Sequence, residues 1–209
     1  MIAAPIVYCA EDQARVTVFK ALASEAQLGS YWSEPALEDL RSRVKAFYIA
    51  AQNTRCCYCN RHLGTDNHRM WDVEHVASRA KHTRFMFEPT NLAASCPDCN
   101  IKKGEQEVLV NTRRKTYPKT SASFRILHPH FDTFEEHIYQ DNMVYLGKTE
   151  KGKNTIYFCD LLRFAQKFIA WENSAADMSF EMEVDTVFDE GAMASQAAVD
   201  TIIAKLPTK

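Results

Sequence analysis

Two Cys-x-x-Cys pairs, Cys56/Cys59 and Cys96/Cys99, constrain the folding of this chain more than any other feature. Two residues between thiols let both sulfurs reach one ion at ~2.3 Å, and two such pairs complete the tetrahedron that zinc prefers. Thirty-six residues separate the pairs, more than a minimal zinc ribbon uses, so the intervening segment must loop out as a substructure of its own. Cys57 lies inside the first pair and competes as a ligand, but the two-residue gap favours Cys56 and Cys59. Four sulfurs leave zinc no open position, so the clasp is structural and any chemistry has to come from elsewhere. Seven cysteines is an odd count, and with two knuckle pairs it argues for reduced thiols rather than disulfides. Cys9 and Cys159, in apolar surroundings, read as ordinary buried residues.

The formal charge of −2 conceals a segregated pattern. Residues 1–60 carry six basic and six acidic residues, 61–125 carry twelve and seven, and 126–209 carry seven and fourteen. The basic middle coincides with the cysteine-framed segment, which is therefore where a polyanion would bind. The acidic remainder excludes generic coating of nucleic acid. The opening Met-Ile-Ala-Ala-Pro has neither a basic flank nor a cleavage site, and no apolar run approaches the ~18 residues of a membrane span. The expectation is a cytoplasmic protein with no membrane contact.

At 209 residues the chain can bury one ordinary core and a second small one. Val16, Phe19, Leu22, Ala23 and Ala26 recur at helical spacing over 10–29, with Gly29 as the stop. A stronger helix spans 33–52, with Ser33 as N-cap, Pro35 in the first turn, and Leu37, Leu40, Val44, Phe47 and Tyr48 on one face. A knuckle turn, a strand around Trp71–Val76, a loop and a helix beginning near Pro97 follow. Residues 110–124 read as a polar connector. Residues 137–158 read as a hairpin turning at Asp141-Asn142, with a further turn over Gly147–Gly152. Helices are expected over 157–172 and 191–206.

Between the cysteine pairs stand "WDVEHV", then "TNL", and the second pair runs on as "CPDCNIKKG". Glu74 and His75 are neighbours on a strand, so they point to opposite faces unless a bulge or the strand end re-aims one. Alone, such a dipeptide is common and ordinarily just faces solvent. The whole order over Arg55 to Glu105 resembles the HNH endonuclease family, whose ββα-metal fold grips one divalent cation between a hairpin and a helix. The resemblance implies an α+β protein: a mainly helical scaffold around that core with its zinc knuckle. It divides the chain into an N-terminal helical segment (1–54), the nuclease core (55–110) and a C-terminal α/β extension (111–209), docking a partner.

The resemblance also implies roles. Glu74 stands at the carboxylate metal ligand, usually Asp, and His75 at the general base. Asn91 stands at the amide that fixes the loop or the base's backbone, and Asn100 completes the ligands of the catalytic cation. Lys103 sits where the family has a lysine near the phosphate; Lys102 beside it on the same turn is a further candidate nucleic-acid contact, and Arg79 after the base is either such a contact or part of a solvated loop. Ser78 replaces a frequent proline. A carboxylate and an amide oxygen suit magnesium or manganese, and an imidazole is matched to taking a proton from water near neutrality. Asn100, taken as opening the helix after Cys99, would turn a helix N-terminus toward the phosphate.

Several other residues tempt as site residues. Lys81, His82 and Arg84, and separately Arg113, Arg114, Lys115 and Lys119 around Tyr117, are either backbone contacts or solvated loops. His128 and His130 read as a structural turn, and with four cysteines at hand His62 and His68 are not needed as ligands. Beyond the motif, "ILHPHFDTFEEHI", a hairpin and "KGKNTI" are similar to stand-alone bacterial HNH proteins that act as effectors in antiphage systems, such as the nuclease partner of an ATPase in Septu-type or retron-linked operons. The expected function is metal-dependent cleavage of DNA. The alternatives are a non-catalytic zinc-clasped binding module and an RNA-cleaving toxin with the same site.

Overall fold

The structure, a computed structural model, describes residues 1–166. It is an α+β fold, with two separate two-stranded antiparallel sheets among the described residues. The chain forms two compact units, Met1–Phe134 and Glu135–Lys209.

The first unit is built on a hairpin whose strands are far apart in sequence. Strand β1 (Asp72–His75) pairs with β2 (Leu92–Ser95), Asp72 opposite Ser95 and His75 opposite Leu92. Helix α3 (Glu38–Ala51) packs on this hairpin through Leu40, Val44, Tyr48 and Ile49, all buried. Just past its end, Gln52 works as a surrogate strand edge. Its side-chain nitrogen donates to the Ala94 carbonyl (2.7 Å) and its oxygen accepts from the Ala94 N–H (2.7 Å). The helix starts later than the sequence suggests: Pro35–Leu37 forms a 3-10 turn and α3 begins at Glu38, so Ser33 is not its N-cap.

The single helix expected over 10–29 is two, α1 (Ala10–Ala21) and α2 (Glu25–Tyr31), and Gly29 lies inside the second. Leu22 is extended (φ −65°, ψ 134°), and the break has a tertiary cause. In one straight helix Phe19 and Tyr31 would sit ~18 Å apart along the axis. Here their rings are 5.6 Å apart, Tyr31 donates to the Arg15 carbonyl (3.0 Å), and both rings pack against Phe87. Burying three aromatic rings together outweighs three residues of helix. Asp12, on α1, is buried and takes a two-pronged contact from Arg43 of α3, which lowers its carboxyl below the usual range. Cys9 is exposed, against expectation, because it precedes α1 rather than packing under it.

The chain enters the second unit within one helical turn, α5 (Phe134–His137). Strands β3 (Ile138–Asp141) and β4 (Val144–Gly147) form a hairpin that turns at Asn142, in the left-handed region at φ 49°. Helix α6 (Glu150–Phe158) follows, capped by the Thr149 hydroxyl, which accepts from the Gly152 N–H (3.2 Å). The turn expected over Gly147–Gly152 is therefore the start of a helix. Gly152 is obligatory for another reason: a Cβ there would lie 1.9 Å from the His137 carbonyl oxygen. The helix expected over 157–172 does not start at 157. Helix α6 runs through it to Phe158, Asp160 takes φ 49°, and helical backbone resumes only at 163–166. Residues 167–172 and the helix expected over 191–206 lie outside the described residues. Among the described residues no helix is long and apolar enough to cross a membrane.

Candidate functional site

The two knuckles meet at one end of the first unit. In the first, the Asn60 N–H donates to the Cys56 carbonyl (3.0 Å) and the Cys56 N–H to the Arg61 carbonyl (3.1 Å), with Asn60 at φ 54° closing the turn. In the second, Cys96 ends β2 and Pro97 opens α4 (Pro97–Lys103), the missing proline N–H falling where no helix partner exists. The Cys96 N–H also points at the Cys56 sulfur (3.3 Å). All four sulfurs of Cys56, Cys59, Cys96 and Cys99 lie within 4.8 Å of one another. A tetrahedral zinc with ~2.3 Å bonds spaces its sulfurs at ~3.8 Å, so the cluster fits a metal such as zinc with slight contraction. Cys57 is outside the group; its N–H donates to the Ala94 carbonyl (3.1 Å). Without a cation, hydrogen bonds with Cys56 above all push the Cys59 and Cys99 thiols up, so four thiolates need the positive charge that a metal supplies.

Along β1 opens a cleft of about 930 Å³, lined by Asp72, Glu74, His75, Arg79, Asn100 and Lys103 among others. Glu74 and His75 reach the same cleft because His75 is the last residue of β1, where alternation no longer binds. Their environments differ. Glu74 is fully buried; Lys103 donates to its Oε1 (2.5 Å) and so does the Tyr58 hydroxyl (2.9 Å). Burial pushes the Glu74 carboxyl up, and the Lys103 charge and hydrogen bond and the Tyr58 hydroxyl pull against it. The His75 Nε2–H donates to the Met86 carbonyl (3.1 Å), which leaves Nδ1 with the lone pair. Burial, then the charges of Lys103 and Arg79, lower the imidazole to about 3. The ring is neutral across the physiological range. Trp32 packs edge-on against it, centroids 4.6 Å apart.

Asn100 is the fourth residue of α4, not its first, and α4 has only seven residues. The helix-end attraction for phosphate expected from the sequence therefore drops out. The Asn100 Nδ2 instead donates to Asp72 Oδ2 (2.9 Å), leaving the amide oxygen as an acceptor. Asp72 went unremarked in the sequence, although its two-residue spacing from Glu74 puts both carboxylates on one face of β1. Asn91 is buried and does not line the cleft. Its amide accepts from the Ala77 N–H (2.7 Å) and donates to the carbonyls of Ala77 (3.1 Å) and Phe85 (2.9 Å), stapling the loop after His75.

Of the three expected nucleic-acid contacts, Arg79 is exposed at the cleft, and Lys102 is exposed but outside it. Lys103 differs: it is 1% exposed, and its ammonium donates to Glu74 and to the His75 carbonyl (2.6 Å). It holds the strand end in place instead of facing solvent. The opposite wall was not expected at all. Trp32, Arg41 and Lys45, from segments that look like scaffold, complete the cleft, Arg41 anchored on the Trp32 and Glu34 carbonyls and Lys45 on the His68 carbonyl. A polar i,i+4 pair beside an apolar stripe was the available signal. His128 and His130 are structural: the Tyr117 hydroxyl meets His128 Nε2 (2.7 Å), and His130 Nε2–H donates to the Leu92 carbonyl (2.8 Å).

These features define an α+β chain in which a four-cysteine cluster able to hold a metal and a cleft of carboxylate, amide and imidazole groups share one hairpin and helix. No family model matches it. It is similar to the Septu protein PtuB of Bacillus thuringiensis, 28% identical over 127 residues, which are 61% of this chain and 41% of that protein. The chain thus spans less than half the length of that relative.

Proposed function

We propose that this chain is a metal-dependent nuclease of the HNH type that hydrolyses phosphodiester bonds in DNA, as an effector of an antiphage defence system. One observation carries the reading: an imidazole held through Nε2 on the Met86 carbonyl, with Nδ1 left as the acceptor, lines one cleft with two carboxylates and an amide oxygen. His75 accepts the proton of the attacking water at Nδ1, while the Met86 carbonyl holds the ring's other nitrogen and Trp32 its plane. Asp72, Glu74 and Asn100 are an oxygen donor set, which suits magnesium or manganese better than zinc. Such a cation, when bound, neutralises charge on the phosphoryl oxygens and the leaving alkoxide. Arg79, exposed at the rim, meets the phosphate. Asn91 acts through the loop that it staples. Lys103 acts by positioning Glu74 and the His75 carbonyl. Residues 55–110 then form the nuclease core, 1–54 supply its second wall, and 111–209 dock a partner.

The likeness to a Septu protein supports the defence role and, with it, an ATPase encoded in the same operon as partner. The ion pair between Lys103 and Glu74 favours a second reading, a zinc-clasped binding module whose cleft needs no cation because its carboxylate is already neutralised.

The test is cleavage of supercoiled plasmid with magnesium or manganese added or omitted, alone and with the operon's ATPase, beside an equal RNA substrate. Wild type should cut only with the divalent cation. His75→Ala should cut at least ~100-fold more slowly, the loss expected for a removed general base, while keeping its zinc and its folded state. Cutting by His75→Ala at the wild-type rate would remove the base; a wild type silent with its partner present would leave the binding module.

A further inference from the structure

The two basic stretches that the sequence keeps thirty residues apart converge in space. Lys81 and Arg84 from the loop after β1, and Arg113, Arg114 and Lys115 from the connector, line a second cleft of about 490 Å³ with no acidic residue in its lining. Among the described residues none of these five side chains makes an ion pair or a hydrogen bond. The convergence is built. His82 Nε2 meets both oxygens of Glu107 (3.1 and 3.0 Å), the Leu109 N–H donates to that carboxylate (2.9 Å), and the Phe85 ring stacks on His82 and meets Tyr117 edge-on. Each loop is therefore tied to the segment that carries the other.

Five exposed cations along one cleft, with Glu107 beneath it on His82 and within electrostatic reach of Lys81, attract a polyanion such as a phosphate backbone. Its direction is set by Thr83, which lines both this cleft and the one holding His75. We propose that the second cleft is the track of the DNA backbone beyond the cleavage site, its cations meeting successive phosphates of the strand whose scissile phosphate lies at His75. The inference rests on the reading of the first cleft as a phosphodiester site. Tyr117 takes no part in base stacking, since it is buried with its hydroxyl on His128.

The test uses the full chain carrying His75→Ala, without added divalent cation, titrated with fluorescent duplex DNA by anisotropy at a series of salt concentrations. Replacing Arg84, Arg113, Arg114 and Lys115 by Gln should reduce the slope of log affinity against log salt by about 3 to 4, since each phosphate contact on duplex DNA contributes ~0.9. The melting temperature should not move, and Arg113→Lys with Arg114→Lys in an otherwise unchanged groove should keep the parent slope. An unchanged slope in the four-Gln variant overturns the proposal, and a loss seen with RNA but not with DNA overturns the choice of DNA. In a His75 background, bis(4-nitrophenyl) phosphate, too small to reach the groove, should be hydrolysed equally by parent and four-Gln protein while plasmid cutting falls at least ~10-fold. If neither substrate is turned over with the operon's ATPase present, the nuclease reading fails, and the salt slopes still decide the groove.

Discussion

The clasp and the cleft share a strand and a helix, yet they treat polar atoms in opposite ways. At the clasp, four ligands of one kind come from two short knuckles, each closed by its own backbone hydrogen bonds, with their sulfurs all within 4.8 Å of one another. At the cleft, the groups differ in kind, come from β1, α4 and the helices of the N-terminal segment, and each is held by a different neighbour. A closed, uniform set of donors stabilises a fold. An open, mixed set with individually tuned groups costs stability and is kept where chemistry or binding needs it.

Mutations should separate the two regions. The largest effect belongs to the clasp: Cys99→Ser should lose the metal and the cooperative melt of the first unit, because binding energy at a structural zinc site is folding energy. Metal content by emission spectroscopy and a thermal scan check this, and a metal-free variant that melts normally would make the clasp dispensable. Next comes the buried ion pair of the cleft. Lys103→Met strands a buried carboxylate and should cost about 3–5 kcal/mol, whereas Lys103→Met with Glu74→Leu should recover most of it. Denaturant titration of the three proteins sharpens the comparison; equal losses in both variants would show that the pair is not the unit of stability.

Asp72→Asn should leave the melt within about 0.5 kcal/mol, being a partly exposed, near-isosteric change. It should weaken magnesium or manganese binding by calorimetry, and unaltered affinity would take Asp72 out of the donor set. The smallest effect is on pH. Burial lowers the His130 imidazole below its ordinary value. A group depressed in the folded state stabilises above the unfolded pKa of ~6.5 and loses that contribution as pH falls below it, by at most about 1.4 kcal/mol per pH unit. His130→Gln should therefore flatten the decline in melting temperature between neutral and mildly acidic pH, and an unchanged decline would assign the acid sensitivity elsewhere.

Much of the site was legible in the chain. The cysteine spacing predicted a cluster that the structure assembles, the strand around Trp71–Val76 followed from local pattern, and the α+β class came with the family resemblance. What local pattern missed has a common cause. The break between α1 and α2 depends on Phe87, sixty residues away, and the glycine requirement at 152 on a carbonyl from another element. Lys103 was expected beside the phosphate because the resembled family has a lysine there; only the presence of Glu74 and the His75 carbonyl beside it makes its burial tolerable.

By itself the sequence determined which ligands could share an ion and which residue types could do acid–base work, since those follow from spacing within a few residues and from side-chain chemistry. Tertiary structure alone decided that Asp72 joins Asn100, that Trp32, Arg41 and Lys45 wall the cleft, and that two basic loops form one groove. Such meetings depend on how α3 and the hairpin pack, and packing depends on the shape of the whole core, which no short window of sequence contains.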